Sequence, residues 1–131
     1  MSSAGERRAL QVAVAVGTLV PLVAGLSGAL TGAGFLEASG NVTLDSHVRY
    51  LSGLLLAIGL GFLSCIPAIE AKTGRFRLLT GIVLVGGLAR LYGIAADGWP
   101  AAPMVFGLIM ELCVTPALCA WQGRVAWRYR A

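Results

Sequence analysis

LLTGIVLVGGLARLYGIAA, residues 78–96, carries one charged side chain in nineteen residues. Spanning about 30 Å of hydrocarbon takes roughly 20 helical residues, so this run predicts a membrane-crossing helix. Its single charge, Arg90, then stands where a guanidinium costs about 2.5–3.5 kcal/mol on insertion scales. Such a residue is expected to face other helices and to have a partner.

Three more runs of similar character flank it, at about 9–30, 48–69 and 103–121. The whole chain of 131 residues is 57% hydrophobic and only 12% charged. Its mean hydropathy is +0.82. Soluble domains carry roughly twice that share of charge. The composition therefore predicts an all-α bundle of four transmembrane helices with short loops, a single domain over residues 1–131. The connectors fit this division. GNVTLDSH supplies Asp45 or Ser46 as the N-cap of the second span. EAKTGRFR reads as a short charged turn, and DGWPAAP stops the third helix and starts the fourth.

Charge distribution sets the expected orientation. Arg7 and Arg8 precede the first span, Lys72, Arg75 and Arg77 join the second to the third, and Arg124, Arg128 and Arg130 follow the fourth. Four crossings put these three clusters on one side. The opposite loops carry Glu37, Asp45 and Asp97 and no lysine. The positive-inside rule then places both termini in the cytoplasm (N-in, C-in), with a basic cytoplasmic tail at 122–131. Trp99 on one side and Trp121, Trp127 and Tyr129 on the other fit interfacial belts. The net charge of +4 is explained by this asymmetry, and the tail suits anionic headgroups rather than nucleic acid. The paired arginines resemble a twin-arginine export signal, but the apolar run after them is long and lacks an A-x-A cleavage site, which favours a retained helix.

The eighteen glycines suggest packing devices. Gly53, Ala57, Gly61 and Cys65 recur every four residues, a small-residue stripe for close helix approach. Pro21 and Pro116 are expected to distort the first and fourth spans. Cys65, Cys113 and Cys119 all lie in apolar runs and read as buried small side chains, not as a disulfide framework or metal site. No metal set, cofactor motif or nucleophile–base constellation stands out, so a non-catalytic protein without a cofactor is expected.

Arg90 and Glu111 lie roughly 8 Å and 12 Å below the same surface at 1.5 Å per residue, within reach of one salt bridge. Gly86 and Gly87 share the stripe of Arg90 and would clear space around it. Arg49 lies at nearly that level, with Asp45, Ser46, His47, Tyr50 and Tyr92 able to surround the group. Several readings follow. Arg90–Glu111 is an internal ion pair fixing helix register while Arg49 snorkels beside Asp45. Alternatively Arg49, Arg90, Glu111, Asp45 and His47 line an outer-half polar pocket for an anionic solute or lipid. A proton- or ion-coupled path through Glu111 is a third option, and a lipid-directed enzyme using His47 as base a fourth.

The pattern DSHVRYLSGLLLAIGL, then P-x-I-E and RFRLLTGIVLVGGLARL, then G-W-P and MEL, resembles a family of small bacterial membrane proteins, domain of unknown function 4345. By that resemblance, Arg49, Arg90, Pro100 and Glu111 occupy characteristic positions, and a four-helix protein of the bacterial inner membrane is implied. The resemblance supplies no activity. The expected function is packing in the lipid bilayer, as a subunit beside a membrane-protein partner or as a homo-oligomer. The alternative is a small transporter or binding protein using the polar pocket.

Overall fold

The computed structural model of the chain describes residues 2–36 and 40–131. Glu37, counted above among the acidic loop residues, lies outside them. The described residues are helical with no strand. The helices are α1 (Ser3–Thr31), α2 (Val42–Leu63), α3 (Thr73–Asp97), α4 (Ala102–Ile109) and α5 (Thr115–Arg130). A π turn, Met110–Val114, joins α4 to α5 into one continuous rod. Four stretches are long and apolar enough to cross a membrane: Ser3–Gly34, Val42–Leu63, Thr73–Asp97 and Ala102–Arg130.

Local chemistry sets the ends. Ser2 Oγ accepts from the Gly5 N–H at the start of α1. Asn41 Oδ1 accepts from the Leu44 N–H at 3.1 Å and caps α2. The N-cap is therefore Asn41, not Asp45 or Ser46, and α2 begins six residues before the expected Val48. A polar first turn suits a helix N-terminus, so the apolar run marked the hydrocarbon rather than the helix. At the other end α2 stops at Leu63, short of the expected Ile69. Ile66–Ala71 form a 3-10 segment broken at Ala68, whose φ/ψ of −133°/52° is not helical. α3 then starts at Thr73, inside the stretch read as a turn, and ends at Asp97, followed by Gly98, whose φ of +97° favours glycine. The segment read as a basic tail is helical to Arg130.

The chain divides into two compact units, Met1–Gln11 with Ala68–Ala131, and Val12–Pro67. In the second unit, α1 and α2 meet backbone to backbone. A Cβ on Gly25 would stand 2.6 Å from Leu56 N and 2.9 Å from Ser52 O, and one on Gly59 would stand 3.1 Å from Leu22 Cδ2. Gly53, placed above on the packing stripe, faces open space. The contact face of α2 is therefore the Ser52–Leu56–Gly59 face. α1 runs through Pro21 as one helix.

In the first unit, α3 packs along α4, the π turn and α5. Gly87 sets the spacing, since a Cβ there would lie 2.8 Å from both Glu111 Cβ and Leu112 Cδ2. Gly86 faces nothing within 4 Å, so only one of the two adjacent glycines makes room for the pair. Leu10, Ile69, Phe76 and Val125 form the buried apolar part of this unit. Pro116 lacks an N–H and crowds the preceding turn, and the widened π register lies directly before it. Thr115 donates both its N–H and its Oγ1, the latter at 2.8 Å, to Met110 O. Of the cysteines only Cys65 is buried, while Cys113 is exposed and Cys119 intermediate.

Candidate functional site

Arg90 and Glu111 pair with each other, as do Arg49 and Asp45, each pair within its own unit. Arg90 on α3 meets Glu111 on the π turn through a two-pronged contact, Nε to Oε2 and Nη2 to Oε1, both 3.1 Å. Nη1 points at Met104 Sδ, 3.2 Å away. The side chains are 33% and 19% exposed. A planar fork against a carboxylate gives two charge-assisted bonds with fixed geometry. In hydrocarbon the alternative for each group is an isolated ion, so the two are held together where α3 meets the fourth span. Gly107 lies close by, its would-be Cβ 3.9 Å from Arg90 Nη2.

Arg49 and Asp45 form a different device in the other unit. Arg49 Nε donates to Asp45 Oδ2 at 2.8 Å, and Nη1 donates to Ala29 O at 3.0 Å and Leu30 O at 2.7 Å. Asp45 Oδ1 accepts from the Ala33 N–H at 2.9 Å. The last carbonyls of α1 have no helical partners and carry the negative end of its dipole, so a guanidinium there satisfies both needs. Gly32, with φ +61°, lets the chain turn under this clasp. The clasp ties the end of α1 to the first turns of α2. His47 sits on the exposed side of α2, beside Thr43, Ser46 and Tyr50, along a shallow open surface.

A third polar cluster escaped the sequence reading. Glu6 on α1 is 2% exposed. Its Oε1 lies 2.6 Å from Arg124 Nη2, and its Oε2 accepts from Arg128 Nη1, both on α5. The buried Trp121 indole nitrogen belongs to the same cluster and is a hydrogen-bond donor to the Glu6 carboxylate. Next to this, Arg7 Nε donates to Glu70 Oε2 at 2.7 Å. Gln122, fully buried, donates from Nε2 to Ile69 O at 2.8 Å and to Thr73 Oγ1 at 3.0 Å. These bonds gather the start of α1, the 3-10 segment, the start of α3 and the end of α5 at one end of the unit. The two termini of the chain thus share a side. The available signal was Glu6 itself, one acid beside two arginines before an apolar run. Its partners lie more than a hundred residues away, which spacing does not reveal.

A family model for domain of unknown function 4345 (DUF4345) matches residues 9–122. The chain belongs to that family. The DUF4345 match covers Arg49, Arg90 and Glu111, together with Gln122, and leaves Glu6, Arg124 and Arg128 outside its limits. No curated protein and no solved structure matches the chain.

Proposed function

We propose that this multi-pass membrane protein is non-catalytic and acts by packing, as a small subunit of a membrane complex or as a homo-oligomer. The observation that carries this reading is the glycine pattern of α3. Gly87 is covered by the fourth span, but within the same unit Gly86 and Gly93, one heptad apart, meet nothing within 4 Å. Lipid tails gain little from a glycine face, whereas a neighbouring helix gains close backbone approach. The in-span charges support the same reading: Arg49 and Arg90 each have a carboxylate partner, Arg90–Glu111 joins α3 to the π turn, and the Asp45–Arg49 pair within α2 holds the end of α1 through backbone groups of Ala29, Leu30 and Ala33.

Purification in mild detergent tests it. A defined oligomer or a stoichiometric partner is expected, lost when Gly86 and Gly93 are both changed to leucine while helicity stays the same. A monomer that co-purifies with nothing would contradict it.

We further place the protein in the bacterial inner membrane with both termini cytoplasmic. The gathered ends of α1, α3 and α5 carry most of the basic residues, as the positive-inside rule requires of a cytoplasmic face. Reporter fusions at each terminus should both be active in the cytoplasm and silent outside it.

A further inference from the structure

From Arg77, the fifth residue of α3, the outer surface of the helix changes character. Arg77, Leu78, Gly81, Ile82 and Val85 line one shallow groove, apolar except at its mouth. Leu78 and Val85 are about two-thirds exposed, and a Cβ on Gly81 would meet nothing within 4 Å. The missing side chain at Gly81 forms the floor, and from Arg77 to Val85 the groove runs about 12 Å along the helix at 1.5 Å per residue. It lies about a quarter-turn away from the Gly86–Gly93 face and nearer the start of the helix.

Charge at this mouth is one-sided. Glu6 and Glu70, the acids gathered at this end, are both engaged with arginines of the chain itself: Glu6 with Arg124 and Arg128, Glu70 with Arg7. Arg8, Lys72, Arg75, Arg77 and Arg130 belong to the same end, so its net charge stays strongly positive. A cation at the level where a span leaves the hydrocarbon, above an apolar groove, matches the two parts of an anionic phospholipid. A soluble acidic partner would match the cations but not the groove.

We propose that this groove holds an anionic phospholipid, its phosphate at Arg77 and an acyl chain over Gly81 between Leu78, Ile82 and Val85. A juxtamembrane cation near an anionic headgroup favours it by about fivefold. Native mass spectrometry of the full chain in detergent, with added phosphatidylglycerol or phosphatidylcholine of equal chain length, measures this. The wild type should retain phosphatidylglycerol about fivefold better. Arg77→Gln should abolish that preference while keeping some binding of either lipid. Gly81→Leu fills the groove without a clash and should weaken both. Unchanged melting temperatures of the variants serve as the folding control. Equal retention of the two lipids by the wild type, an undiminished preference in Arg77→Gln, or undiminished retention in Gly81→Leu would each overturn the proposal.

Discussion

Glu6 shows what one residue does in this chain. Its carboxylate is almost fully enclosed and faces two guanidiniums from α5. Glu6→Gln removes the charge that both arginines answer, and hydrogen bonds to charged groups are worth about 1.5–3 kcal/mol. The variant should lose about 2 kcal/mol in thermal unfolding in detergent; unchanged stability would mean that the arginines find water equally good. Arg49 offers a sharper test because three acceptors share its guanidinium. Lysine keeps the charge but lacks the planar fork. Arg49→Lys should therefore fall between the wild type and Arg49→Met in stability, with the methionine variant down by about 1–2 kcal/mol. Equal stability of the two variants would show that shape, not charge, is what matters.

At the scale of elements, two glycines carry opposite expectations. Gly25 lies against the backbone of α2, so Gly25→Leu must push α1 and α2 apart and should cost about 1–3 kcal/mol or more. Gly53→Leu points into open space and should leave the melting temperature within about 0.5 kcal/mol of wild type. A reversed order would contradict the packing face of α2. The same contrast shows what could be read from the sequence. The first and third spans were legible because their apolar runs sit inside their helices, and Arg90–Glu111 because depth and helical phase both pointed to it. The limits of α2 were not legible, since its first turn is polar and Asn41 caps it ahead of the apolar run. At the head of the small-residue stripe Gly53 faces open space while Cys65 at its end is buried, since spacing marks every small residue alike, whereas contact depends on which face meets a neighbour. Nothing in MELCV announced a π turn; Pro116 predicted a disturbance but not its form. Arg49 was read as snorkelling beside Asp45 or as binding a ligand; the Asp45 contact is present, but its other acceptors are backbone carbonyls at the end of α1, which spacing does not reveal.

Across the whole molecule, polar groups recur where apolar packing alone is weak. Burying hydrocarbon against hydrocarbon gives helices in a bilayer little reason to associate, so close glycine contacts and charged joints take that role. One joint closes the basic end, one clasps α1 to α2, and one fastens α3 to the fourth span. Arg90 and Glu111 are the pair most deserving of a functional suspicion, being charges within a span. That they serve as a joint is tested most directly by a double-mutant cycle with Arg90→Ala, Glu111→Ala and the two together. Each single variant leaves an uncompensated ion and should lose about 3–5 kcal/mol in reversible unfolding in detergent. The double variant should recover a substantial part of the summed loss. Singles as stable as the wild type, or losses that simply add, would contradict the account.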